Sequence, residues 1–120
     1  MKKKISRIFA RKGIFATLSP QNGAHMREKH IEQKLAKAVK HMGGIAMKFV
    51  SPGFDGMPDR LVLLPGGRMG FVEVKTPGKA PRPLQTARHR MLRKLDFKTF
   101  VLDDEKQIQK IISEIGGDAG

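Results

Sequence analysis

The 120-residue chain predicts an α/β fold: a small mixed β-sheet flanked by helices, in the order helix, three strands, helix, strand, with a further helix at the C-terminus. Three observations carry this. Apolar residues recur at helical spacing in three separate segments, and short β-branched and aromatic runs lie between them. A helix also separates the third and fourth strand candidates, the connection that sets two strands parallel.

Taken in order, the first helix is expected over about residues 27–42, where Ile31, Leu35, Ala38, Val39 and Met42 share a face and Gly43-Gly44 ends the run. "IAMKFV" (45–50) reads as a short strand, and "SPGFDGMP" is a loop rich in Pro and Gly. "DRLVLL" and "RMGFVEVK" flank Pro65-Gly66-Gly67 and form a hairpin. Leu61 to Leu64 are apolar at consecutive positions, which predicts a strand covered on both faces. After "TPGKAPRP" comes a second helix with Leu84, Ala87, Met91, Leu92 and Leu95 as its apolar stripe and Arg82, Arg90, Arg93 and Lys94 on its exposed side. "KTFVL" (98–102) is the fourth strand. Asp104 with Gln107 three positions later makes a capping box before Ile108, Ile111, Ile112 and Ile115.

The length suits one modest core. Lys and Arg number 24 against 11 Asp and Glu, a formal net charge of +13, which fits a polyanion, nucleic acid first, better than a neutral metabolite. The absence of cysteine excludes disulfides, thiolate zinc sites and cysteine nucleophiles. No apolar run is long enough to span a membrane. Residues 1–25 carry Lys2, Lys3, Lys4, Arg7, Arg11 and Lys12 and no acid, and these charges interrupt any signal-peptide core, so a cytoplasmic, DNA-associated location is expected. The segment is read as a mobile leader or tail outside the fold. A DNA-contacting arm, a presequence, or residue from an upstream start or cloning site are alternatives. The folded domain is expected over 26–116, with 117–120 a flexible C-terminus. His25, His30, His41 and His89 lack zinc spacing and read as ordinary helix or tail residues.

Chemistry concentrates in the hairpin. Glu73 and Lys75, two apart in a strand, share a face with Phe71 and Met69. Asp59 depends on the turn: a two-residue Gly66-Gly67 turn sets it opposite Val74 and away from Glu73, whereas an odd-length or bulged turn brings the two carboxylates together. If they meet, their repulsion calls for a divalent cation, and hard oxygen ligands suit Mg²⁺ or Mn²⁺. Lys75 stands beside them as an electrostatic or acid–base partner. Glu32, at the border of the first helix's apolar face, can supply a further carboxylate. Each has an ordinary alternative: Asp59 a turn residue, Glu73 and Lys75 an exposed pair, Glu32 a solvated partner of a lysine, Gln85 a first-turn hydrogen-bonder.

"GMPDRL" (56–61) followed by "VEVK" (72–75) resembles the PD-(D/E)xK nuclease signature. Together with "EKHIEQKL", "KFVSPGFDGMPDRLVLLPGG", "FVEVKTPG" and "RPLQTARHRMLRKL", the chain from about Met26 to Ile115 resembles the virus-type replication-repair nuclease, or VRR-NUC, family. The resemblance implies an αβββαβ restriction-endonuclease-like core and metal-dependent cleavage of DNA phosphodiesters. Catalytic roles would fall to Asp59, Glu73, Lys75 and Gln85, and metal binding to Asp59, Glu73, Val74 and Glu32. Stand-alone phage members are similar to homodimeric Holliday-junction resolvases, which implies a four-way junction as substrate; a separate reading is a subunit recruited by a helicase or replication protein, with its site active only in that complex. Arg60, Lys79, Arg82, Arg88, Arg90 and Arg93 are the expected DNA contacts. The opposing reading is a non-catalytic or partner-activated DNA-binding protein on a nuclease scaffold.

Overall fold

The computed structural model describes residues 19–117, with side chains from Met26 onward. In chain order it contains α1 (Ser19–His41), β1 (Ile45–Lys48), β2 (Arg60–Leu64), β3 (Arg68–Val74), α2 (Pro83–Lys94), β4 (Thr99–Leu102), a 3₁₀ turn (Glu105–Gln107) and α3 (Ile108–Ile115). The sheet order is β1-β2-β3-β4, with two antiparallel pairings and a parallel β3–β4 pair across the α2 crossover. This is the expected mixed sheet and element order.

Helix α1 begins at Ser19, well before the expected residue 27. Pro20 falls in its first turn, where a missing N–H leaves no intrahelical bond unmade. Most of the expected 1–25 leader lies outside the described residues, as do 118–120.

Even-numbered positions of β2 and β3 point to the main core. Ile31, Leu35 and Val39 of α1 and all four isoleucines of α3 pack there on Val62, Leu64, Val72, Val74 and Leu102. Gly70 lies on this face because α3 leaves no room for a side chain: a Cβ there would come 2.7 Å from Ile115 Cγ1. Met42, expected on the buried face of α1, is exposed. The Asp104–Gln107 box is modified. Asp104 accepts from the Lys106 amide within the 3₁₀ turn, while Gln107 Oε1 accepts from the Asp103 amide.

The opposite sheet face corrects two expectations. Leu63 is 36 % exposed and Leu61 only half-buried, so β2 is not covered on both faces. Helix α2 is the reason. Its twelve residues cover the part of this face that holds Glu73 and Thr99, and the residues the helix itself buries are Gln85, His89 and Leu92. Leu84 and Leu95 of the expected apolar stripe are 45 % and 62 % exposed. The helix turns a polar row inward because polar partners await it beneath.

Candidate active site

The hairpin turn decides the site. Leu64 pairs with Arg68, so Pro65-Gly66-Gly67 is a three-residue loop, and Gly66 and Gly67 both have positive φ, at 86° and 74°. With Arg60 opposite Val72, one further step sets Asp59 opposite Glu73. Residues directly opposite in an antiparallel pair project to the same side. Asp59 also seals the strand end: its Oδ1 accepts from the Val74 amide at 3.1 Å, and its own carbonyl accepts from the Phe49 amide at 2.9 Å.

Glu73 is 4 % exposed. Its Oε2 accepts from Gln85 Nε2 at 3.0 Å and lies 3.7 Å from Lys75 Nζ. Gln85 is itself oriented, because its Oε1 accepts from the Arg82 amide at 2.8 Å at the start of α2. That bond leaves the NH₂ group to face the carboxylate. Glu73 Oε1 is buried with no hydrogen-bond partner among the described residues.

Burial and mutual repulsion raise both acids. Desolvation, then the Asp59 charge, pushes Glu73 from 4.5 up to about 7, with Lys75 opposing. Desolvation pushes Asp59 from 3.8 up to about 6, offset by the Val74 amide and reinforced by Glu32 and Glu28. Two acids held this way favour a bound proton or a bound cation.

Glu32 lies near enough to Asp59 to raise it and has a partner of its own. It pairs with Arg60 Nη2 at 3.1 Å, with both side chains largely buried, and no group of three or more His, Asp or Glu stands at ligand spacing among the described residues. Arg60, expected at DNA, is thereby engaged inside the protein. Glu28, which sequence reasoning passed over, accepts from Thr76 Oγ1 at 3.2 Å and adds to the negative field at Asp59. Its position one helical turn before Glu32, on the same side of α1, was the available signal. Arg88 is also engaged: its guanidinium lies 3.8 Å from the Phe54 ring centroid and its Nε donates to the Asp55 carbonyl at 2.7 Å. These contacts fasten loop 51–58 to α2, where Gly56, at φ 90°, has no space for a side chain beside Leu84. Pro58, fully buried, then leads into Asp59. Lys79, Arg82, Arg90 and Arg93 are exposed.

The oxygen donors at hand, the Asp59 carboxylate and the orphaned Glu73 Oε1, are chemically those of a hard divalent cation, and a bound cation would relieve both the repulsion and the unpartnered oxygen. The acid pair, the lysine two residues on and the α2 glutamine, on a mixed sheet crossed by one helix, define a nuclease-type α/β domain. No family model matches the chain. It is 50 % identical over 80 residues to "Putative nuclease p44" of Acyrthosiphon pisum secondary endosymbiont phage 1, covering 67 % of this chain and 86 % of that protein. A solved structure described as "VRR_NUC domain" matches with a TM-score of 0.68 at 33 % identity, covering 72 % of this chain and 95 % of the other. The chain belongs to the VRR-NUC family.

Proposed function

We propose that this chain is a divalent-metal-dependent, structure-selective DNA endonuclease that works as a homodimer on four-way junctions in a bacterial or phage-infected cell. Family membership and the net charge of +13 support the nuclease and DNA parts of this reading. The observation that carries the chemistry is Asp59 facing Glu73 across the hairpin, with Lys75 Nζ 3.7 Å from the Glu73 carboxylate.

Asp59, Glu73 and the Val74 carbonyl would hold Mg²⁺ or Mn²⁺, with Glu32 or Glu28 reaching it through water. When bound, such a cation supplies Lewis-acid polarisation of the phosphate and a more acidic water. Lys75 offsets the negative charge that builds on the phosphate oxygens as water's oxygen bonds to phosphorus and the P–O ester bond breaks. Gln85 holds Glu73 Oε2 by one hydrogen bond and so leaves Oε1 as the free donor. The Arg82 amide, by fixing Gln85, completes the relay from helix to carboxylate.

Junction choice and dimerisation rest on the family resemblance, since two equivalent strands suit a two-fold enzyme. The deciding experiment titrates Mg²⁺ and Mn²⁺ against synthetic junction, flap and duplex DNA and maps the cuts. Paired symmetric nicks across the junction are expected, and Asp59→Asn and Lys75→Ala should abolish them while DNA binding persists. Salt-sensitive binding without cleavage under any metal would favour the non-catalytic scaffold. Cleavage that appears only after adding a helicase or replication protein would favour partner activation.

A further inference from the structure

We propose that the cavity between α2 and β4 is a second phosphate-binding site, one that grips the DNA backbone a short distance from the scissile bond. This rests on the nuclease reading and extends it to a part of the molecule that the acid pair does not use.

The cavity, about 460 Å³, is lined by Pro81, Thr86, His89, Arg90, Arg93, Lys94 and Val101. Three permanent cations converge on it, and none of its lining residues is acidic. Crowding like charges into a concavity is unfavourable unless an anion enters, and concave basic walls concentrate the field that attracts one. Arg93 is already positioned: its Nε donates to Thr99 Oγ1 at 2.9 Å and its Nη2 to the Thr99 carbonyl at 3.1 Å, leaving its other N–H groups for a ligand. Thr86 adds a hydroxyl. His89, 5 % exposed, has an Nε2 with no partner among the described residues. Arg60 and Arg88 differ in that Glu32, Phe54 and Asp55 already occupy them.

The location favours a phosphate of the same DNA strand or its complement. Val101 is the register partner of Glu73 and Thr86 follows Gln85, so the cavity starts beside the acid and runs along α2 to Lys94. From Thr86 to Lys94 is eight residues of helix, roughly 12 Å. A duplex strand rises about 3.4 Å along its axis per phosphate, so cations spread over that length meet the backbone within a few phosphates of the cut.

The test measures binding of the full-length protein to junction and duplex DNA by fluorescence anisotropy in a chelator, so that no cleavage intervenes. A series of DNAs, each with one neutral methylphosphonate linkage, is compared between wild type and the double variant Arg90→Ala/Lys94→Ala, both substitutions being at exposed positions. Wild type should lose affinity about tenfold at one or two adjacent linkages a few nucleotides from the mapped cut, and the variant should be insensitive at those linkages. Its salt slope should fall by about two. In cleavage assays the variant's loss should appear in KM rather than kcat. Inorganic phosphate at millimolar concentration should not compete, because a single phosphate lacks the neighbouring contacts; competition would reassign the cavity to free phosphate. Equal losses at every linkage in both proteins would mean a diffuse field and would overturn the proposal. The nuclease reading fails separately, if Asp59→Asn cleaves as wild type does.

Discussion

Gln85 Nε2 donates a 3.0 Å hydrogen bond to Glu73 Oε2, joining the first turn of α2 to the buried acid of β3. The bond explains why α2 presents a polar row to the sheet, and it leads to the first prediction. Gln85→Leu leaves Oε2 without that donor. A lost bond to a buried charged group costs about 1–3 kcal/mol, so single-turnover cleavage should slow by roughly 10- to 100-fold. The Glu73 carboxyl becomes harder to ionise, and the rising limb of the pH–rate profile should move to higher pH. DNA affinity measured by gel shift should hold.

A second prediction concerns pH. Asp59 and Glu73 have folded-state pKa values of about 6 and about 7, above their ordinary 3.8 and 4.5. The folded protein therefore binds more protons than the unfolded chain between about pH 4 and 7. The contribution of these groups to stability is present at low pH and is lost as pH rises through that window. In a chelator, the melting temperature should carry a component that falls from about pH 5 to pH 8. Mn²⁺ or Mg²⁺ should restore it, most strongly above pH 7, because ligation replaces the protons. A metal-independent melting curve at pH 8 would contradict the assignment of these acids as ligands.

Arg88 and Arg90 separate positioning from DNA contact. Arg88 holds loop 51–58 through the Phe54 ring and the Asp55 carbonyl, and that loop delivers Asp59. Arg88→Ala should lower the melting temperature by a few degrees and reduce kcat, with the salt dependence of DNA binding unaltered. Arg90→Ala should do the reverse, leaving the melting temperature and lowering the salt slope by about one.

The Glu32–Arg60 pair, 3.1 Å apart and mostly shielded from water, makes Glu32→Gln a test with two readouts. Loss of one partner strands Arg60, so the variant should lose stability, up to about 3 kcal/mol by urea denaturation. Glu32→Gln/Arg60→Met removes both charges and should recover most of it. If cleavage remains low in the recovered double variant, Glu32 serves the metal as well as Arg60. Full activity would assign the helix carboxylate role to Glu28.

Much of this was legible in the chain. Four isoleucines at helical spacing had one way to be buried together, and they are buried on the sheet. The helix between "FVEVK" and "KTFVL" dictated a parallel pair. Glu73 and Lys75 shared a face by the period of a strand alone. Where periodicity misled, the missing information was what lay opposite. The α2 leucines looked like a core stripe because no local signal announces that a buried carboxylate beneath the helix will recruit Gln85. Arg60 and Arg88 looked like free cations because their partners, Glu32 and Phe54 with Asp55, lie 28 and more than 30 residues away along the chain.

By itself the sequence determined the element order, the mixed sheet, the main apolar core and the residue types able to bind a hard cation near phosphate, since these follow from backbone periodicity and side-chain chemistry. Only the tertiary structure decided that the carboxylates meet. A loop of three residues rather than two shifts the pairing by one position and reverses the face each side chain takes. It also decided which cations remain available to a ligand, because that depends on contacts between segments far apart in the chain.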